Sequence, residues 1–109
     1  MAETLKVLAQ ANPSAATLTG AYTVPGATST VVSTLMVCNR SAVATSFRIS
    51  VAVAGAADNN NQYIYYDVAI LGNDTFAATI GLSLATTDVV RVYATLATLT
   101  FSFFGEEVT

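Results

Sequence analysis

The stretch Thr45–Ala54, TSFRISVAVA, decides the fold class that the sequence predicts. Two sets of side chains alternate along it, an apolar set of Phe47, Ile49, Val51 and Val53 and a small or polar set of Ser46, Arg48, Ser50 and Ala52. A period of two residues is typical of a β-strand that buries one face and exposes the other. The stretch therefore predicts a strand that directs its phenylalanine and isoleucine into a core.

The same period recurs on both sides of this strand. Three further runs alternate in the same way, and we expect each to direct one set of side chains into the core. The three sets are Ile64, Val68 and Ile70 in the first run, Phe76, Ala78, Ile80, Leu82 and Leu84 in the second, and Leu99, Phe101 and Phe103 in the third. The segment Thr28–Cys38 is apolar on both faces, which predicts a central strand covered on both sides. Residues that favour turns separate the runs, as in Asn39-Arg40-Ser41 and Gly72-Asn73-Asp74.

These runs predict an all-β protein, an antiparallel β-sandwich or jelly roll of about seven or eight strands with an extended N-terminal segment. Residues 1–12 are expected to form an N-terminal arm or an edge strand, and residues 13–109 a single sandwich domain. The residues expected to meet between the two sheets are Phe47, Ile49, Ile80, Leu82, Val92 and Phe101.

The composition argues against catalysis. The chain has no histidine, one cysteine, and 10% charged residues, whereas ordinary globular chains have about 25%. Side chains that transfer protons, activate nucleophiles or bind metals are therefore scarce, and we expect no enzyme activity, cofactor or metal site. Cys38 lies in an apolar strand without a histidine to activate it and is expected to be a buried packing residue.

The composition also limits the partners. Only four lysine and arginine residues occur, too few for a basic patch, so nucleic-acid binding is not expected. No run of about 18 apolar residues occurs, so no membrane span is expected either. The outward positions of the predicted strands are mainly Thr, Ser, Ala and Tyr, and neutral surfaces of this kind are typical of contacts between subunits.

Aromatic residues supply the candidate interface. We expect Tyr63 and Tyr65 to face one side of their strand, with Asp67, and Tyr66 to face the other. These tyrosines, together with Phe104 near the C-terminus, are candidates for a protein interface. Ordinary packing at the margin of the core and sugar stacking are the alternative interpretations of the tyrosines.

Several segments resemble small structural proteins of tailed bacteriophages. The matching segments are Tyr22–Thr30, Val37–Arg40, Phe47–Ile49, Tyr65–Asp67, Gly72–Thr75, Thr87–Tyr93 and Phe103–Gly105, within a resemblance that spans about Ala9 to Val108. The resemblance implies a β-rich virion component in many copies, assembled in the host cytoplasm. The role that we expect is that of a capsid cement or decoration protein, which associates with itself and binds other virion proteins. A tail, neck, baseplate or fibre-attachment subunit is the alternative of the same class, and a carbohydrate-binding sandwich is the alternative of another class.

Overall fold

The computed structural model describes residues 2–109, which form eight β-strands and two short 3₁₀ turns. The strands are β1 (Glu3–Ala11), β2 (Thr19–Thr23), β3 (Ser29–Asn39), β4 (Thr45–Ala52), β5 (Tyr63–Ile70), β6 (Thr75–Leu84), β7 (Val89–Ala94) and β8 (Leu99–Val108). The turns are Val53–Gly55 and Asn60–Gln62, between β4 and β5. The all-β prediction is confirmed. Among the described residues, no helix is long and apolar enough to cross a membrane.

The strands form two antiparallel four-stranded sheets. Sheet A has the order β1-β8-β3-β6, and sheet B has the order β2-β7-β4-β5. Strand β1 pairs with β8, β2 with β7, β3 with β6, and β4 with β5. The chain is thus one long hairpin, closed between β4 and β5, that wraps into two facing sheets. This is the jelly-roll form of the β-sandwich, and in it the N-terminal segment is the edge strand β1 of sheet A.

The core lies between the two sheets. Its largest fully buried side chains include Phe47 and Ile49 of β4 and Phe101 and Phe103 of β8. The aromatic rings meet in edge-on and tilted pairs, with the Phe47 and Phe101 centroids 6.0 Å apart. Four of the six expected core residues are fully buried, namely Phe47, Ile49, Val92 and Phe101. The expected inward row of β8 is confirmed with them, since Leu99 and Phe103 are also buried.

The prediction that Ile80 is buried is wrong, because sheet A is irregular where β6 passes β3. Val32 faces Leu82 and Leu35 faces Ala78, so three residue steps on β3 are matched by four on β6. The extra length is accommodated in a bulge, in which Gly81 has a φ of 64°. Ile80 lies in this bulge and is 40% exposed, whereas Leu82 remains packed against the core. Bulges of this kind interrupt the alternation on which the prediction depended.

The two-sided cover expected for β3 is also absent from the described chain. Strand β3 is central in sheet A and its inner residues Leu35 and Val37 are fully buried. On the outer face, however, Met36 is 39% exposed. Cys38, expected to be buried, is only partly so. The outer face of sheet A is therefore an open and largely uncharged surface.

Strand β4 ends earlier than its sequence pattern predicts. After Ala52 the backbone turns through Val53–Gly55, where Ala54 and Gly55 have positive φ angles of 53° and 69°. The Ala54 N–H donates a 2.9 Å hydrogen bond to the carboxylate of Asp88, which holds this turn against the β6–β7 loop. Val53 is consequently 72% exposed and does not continue the inward row of Phe47 and Ile49.

Candidate protein-interaction site

Two irregularities in β5 decide where its tyrosines lie. Ser50 and Phe47 are three steps apart on β4, but their partners Tyr63 and Val68 are five steps apart on β5. The extra residues include Asp67, which has a φ of 51°. Because the alternation of β5 is shifted twice, its residues cannot be assigned to faces by counting in twos.

The expected grouping of the tyrosines is corrected as a result. Tyr65 packs against the core, with its ring centroid 5.3 Å from that of Phe76. Tyr63 and Tyr66 instead lie together, with centroids 5.1 Å apart and ring planes at 88°. Ile64, expected on the inner face with Val68, is 41% exposed. The geometry therefore retains Tyr63 and Tyr66 as a surface pair and places Tyr65 in the sandwich.

Arg48 organises this surface pair. In the register of sheet B it lies opposite Tyr93 of β7, and the β5 bulge brings Tyr66 to its other side. Its guanidinium carbon lies 4.2 Å from the ring centroid of Tyr66 and 4.5 Å from that of Tyr93. A guanidinium at this distance is attracted to the ring faces and packs well on them. We call Tyr63, Tyr66, Arg48 and Tyr93 the Arg–Tyr cluster.

A carboxylate fixes the direction of the guanidinium. Arg48 donates from Nε to Asp67 Oδ1 at 2.6 Å and from Nη2 to Asp67 Oδ2 at 3.3 Å. Bidentate pairs of this kind set the plane of the arginine as well as its position. The hydrogen bond to Asp67 also raises the pKa of Arg48, so that the cluster keeps its positive charge. The bulge that contains Asp67 thus supplies both the tyrosine contact and the ion pair.

The loop between β4 and β5 forms one wall of the site. The Tyr63 hydroxyl donates a 3.0 Å hydrogen bond to Asp58 in this loop. Burial, and then this hydrogen bond, raises the pKa of Tyr63, which keeps its hydroxyl neutral. Asn59 caps the second 3₁₀ turn, because its side chain accepts a hydrogen bond from the backbone N–H of Asn61. Between loop and strand lies a shallow depression of about 440 Å³ lined by Asn60, Tyr63 and Tyr66.

The groups in this arrangement are suited to non-covalent contacts. The arrangement presents three tyrosine rings, one cation and several amide and hydroxyl groups, without a thiol or imidazole. Within residues 2–109, no group of three or more His, Cys, Asp or Glu side chains could hold a metal ion. Tyrosine and arginine are enriched among the residues that dominate binding energy at protein interfaces. Tyr66 is 57% exposed although its neighbours hold it in place, so it is presented in a fixed orientation.

The fourth predicted interface residue, Phe104, lies elsewhere. It belongs to β8, where it faces Val7 of β1 and Thr34 of β3 on the outer side of sheet A. Phe104 is partly buried and Val7 is 49% exposed. The structure therefore places Tyr63 and Tyr66 in the Arg–Tyr cluster on sheet B, Tyr65 against the core, and Phe104 on the outer face of sheet A.

Arg48, Tyr93 and Asp67 were not among the predicted site residues. The outward positions of Arg48 and Tyr93 are visible in the alternation of their strands. Their contact depends on the pairing of β4 with β7, and a single sequence does not specify that pairing. The signal that could have indicated the site is the presence of Arg48 and Tyr93 at outward positions in strands with very few other charges.

No protein-family model matches the chain, and neither a curated protein nor a solved structure matches it.

Proposed function

We propose that this chain is a structural subunit of a tailed-bacteriophage virion, with decoration of the capsid as its role. In this proposal the protein assembles in the host cytoplasm, binds other virion proteins and associates with itself. A position on the tail, neck or baseplate, or at a fibre attachment, is the alternative within the same class. The sequence resemblance suggests the class, and the surface of the fold supplies the argument for protein contacts.

The observation that carries the proposal is the Arg–Tyr cluster. Tyr66 is exposed, and beside it the partly buried Arg48 is held by two aromatic rings and by the carboxylate of Asp67. Fixing these long side chains before binding reduces the entropy that an interface must otherwise lose. Tyrosine and arginine anchors of this kind are frequent at the centre of protein interfaces.

The fold and the charges are consistent with this proposal. Jelly rolls occur in viral capsid proteins and in lectins, although a fold by itself does not determine a function. The four cations are dispersed and engaged within the chain. Lys6 contacts Glu107, Arg40 contacts Asn12, Arg48 contacts Asp67 and Arg91 contacts Gln62. This distribution favours a protein partner over a phosphate backbone.

Binding of the purified protein to virion parts tests the proposal. Heads and tails that lack the protein are sedimented with it, and bound protein is measured over a range of concentrations. Saturable binding to heads is expected, and Tyr66→Ala should weaken it about tenfold or more, since truncating an anchor costs at least about 1.4 kcal/mol. Leu71→Ala is the matched control because Leu71 is 68% exposed but lies outside the cluster.

The outcomes separate the alternatives. Binding to tails alone would support the tail, neck or baseplate role, and binding to neither part would refute the proposal. Equal weakening by Tyr66→Ala and Leu71→Ala would refute the part assigned to the Arg–Tyr cluster.

A carbohydrate is the second candidate ligand, because Asn60 adds an amide beside the rings of Tyr63 and Tyr66. Flat rings that stack on sugars need an open face, and Arg48 already covers one face of Tyr66. A glycan array read with the wild type and with Tyr63→Ala would detect this activity. Specific glycan binding that Tyr63→Ala abolishes, without any binding to virion parts, would replace the virion proposal.

A further inference from the structure

The outer face of sheet A is chemically unlike the Arg–Tyr cluster. The register of the strands arranges its outward side chains in rows that cross all four strands. One central row consists of Val7, Phe104, Thr34 and Thr79, and the next consists of Gln10, Ser102, Met36 and Ala77. None of these side chains carries a formal charge. Nothing in the described chain covers them, since Val7 is 49% and Met36 is 39% exposed.

Charged side chains lie near the two ends of this face, with Glu3 and Glu106 at one end and Arg40 with the exposed Asp74 at the other. Glu106 lies near the N-terminal end of β3, in the row of Leu5 and Val31. Arg40 follows the C-terminal end of β3, where it donates hydrogen bonds to Asn12 and to the carbonyl oxygen of Ala97. Strand β3 has 11 residues, so these ends are about 30 Å apart at about 3.3 Å per residue.

We propose that the outer face of sheet A binds the same face of a second copy of this chain, in antiparallel orientation about a twofold axis. A twofold axis through the central rows places Arg40 of each copy near Glu106 of the other. Like charges then lie at opposite ends of the contact, and the uncharged rows meet in the middle. Self-complementarity of this kind is what an isologous dimer interface requires.

The size of the face is sufficient for a dimer. Four strands about 4.8 Å apart and about 30 Å long cover about 600 Å² on each copy. The pair would bury about 1,200 Å² in total, which is the lower limit for stable, specific interfaces. This inference specifies the self-association that the proposed function includes, and it leaves the Arg–Tyr cluster free for a different virion protein.

Charge exchange provides the main test. Analytical ultracentrifugation of the full chain should show a dimer whose dissociation constant rises with salt concentration. Arg40→Glu and Glu106→Arg should each weaken the dimer about tenfold, because each substitution creates two repulsive contacts per dimer. The double variant, which restores opposite charges in the exchanged order, should recover most of the lost affinity.

A substitution near the axis tests the uncharged rows. Met36→Glu brings two carboxylates together at the centre and should weaken the dimer about a hundredfold. Ile64→Glu is its matched control, since Ile64 also lies in a strand and is 41% exposed, but on sheet B. Circular dichroism and thermal melting identify any variant that fails to fold, and the charge-exchange rescue then decides the result.

Cys38 gives an independent measurement without a substitution. It is the single cysteine and lies partly exposed on the same face, so docking should cover it. Its reaction with a thiol reagent should become slower as the concentration of the wild type rises, but should not change with concentration in Met36→Glu.

Several results would overturn the inference. They are a monomer at every concentration, a dimer that Met36→Glu leaves intact, equal dissociation by Met36→Glu and Ile64→Glu, or a closed trimer or hexamer. None of these results depends on binding to heads or tails. Failure of the twofold contact is therefore distinguishable from failure of the virion proposal.

Discussion

Asn39, at the end of β3, is the residue whose replacement gives the sharpest test of the packing. It is 1% exposed, and its side-chain amide donates two hydrogen bonds and accepts two. The side-chain nitrogen donates to the carbonyl oxygens of Val43 at 2.8 Å and Leu71 at 3.2 Å. The side-chain oxygen accepts from the Ser41 N–H and the Thr98 hydroxyl, both at 3.1 Å. One amide thus joins three loops at the same end of the sandwich.

Asn39→Asp keeps the shape of the side chain but removes both donors. The carbonyl oxygens of Val43 and Leu71, which lie in partly buried hydrogen bonds, then lose their donor and face a carboxylate. An unsatisfied buried polar group costs about 1–3 kcal/mol, and a buried charge adds to that. We therefore expect the free energy of unfolding to fall by about 3–5 kcal/mol at pH 7.

The loss should depend on pH in a known direction. Burial beside two carbonyl oxygens raises the pKa of the introduced carboxyl above its unfolded value of about 3.9. A group of this kind is least destabilising below its unfolded pKa, where it is protonated in both states. The deficit should therefore grow as pH rises from about 4 to 7.

Denaturant unfolding at several pH values measures this effect. Asn73→Asp is the matched control, because Asn73 is exposed in the neighbouring turn, and it should change stability by less than about 0.5 kcal/mol. A loss below about 1 kcal/mol for Asn39→Asp, or a loss that does not change with pH, would refute the reasoning.

Three further predictions concern the core, the sheet and a buried hydroxyl. In urea unfolding, Phe101→Ala should lower the free energy of unfolding by about 3–5 kcal/mol. Ile80→Ala should lower it by less than about 1 kcal/mol, because the Ile80 side chain is 40% exposed. Equal losses for the two variants would contradict the faces assigned to these residues. Gly105→Ala should cost about 2–3 kcal/mol in the same assay, since a Cβ there would collide with the backbone of β3, and a neutral result would reject this close approach. The Tyr22 hydroxyl donates a 2.5 Å hydrogen bond to Glu107, which lowers the pKa of that carboxyl in the folded state. The stability gained from this contact is therefore present above the unfolded pKa of about 4.3, and it is lost as the pH falls through the lower pKa of the folded state. Burial, followed by the same bond, raises the pKa of Tyr22 to about 12, so wild type should lose stability between about pH 10 and 12. Tyr22→Phe should lose less over this range in alkaline denaturation, because only other tyrosines with a raised pKa, such as Tyr63, still contribute.

The strands could be predicted from the sequence wherever the alternation is regular. In β7 and β8 the inward rows follow from counting in twos, and in β4 they do so only as far as Ile49, since Ser50 and Ala52 are also buried and Val53 is exposed. Phe47, Val92 and Phe101 are buried as expected. The pattern does not show the order of the strands, because pairing of β1 with β8 or β3 with β6 depends on contacts far apart in the chain. The choice between a simple sandwich and a jelly roll therefore required the structure.

The candidate site shows why the remainder could not be predicted. Its three decisive contacts, from Arg48 to Tyr66, Tyr93 and Asp67, all cross between strands. The contacts with Tyr66 and Asp67 exist because β5 contains extra residues that form a bulge. A single sequence does not show where a strand without glycine forms such a bulge. The same irregularity that overturns the predicted faces of the three tyrosines also brings Tyr63 and Tyr66 together. Bulges often redirect side chains at functional sites, and here the bulge in β5 places Tyr66 on one side of Arg48, opposite Tyr93 of β7. Deleting the bulge should therefore remove both the Tyr66 contact and the Asp67 ion pair of Arg48, whereas Tyr66→Ala removes only the first of them.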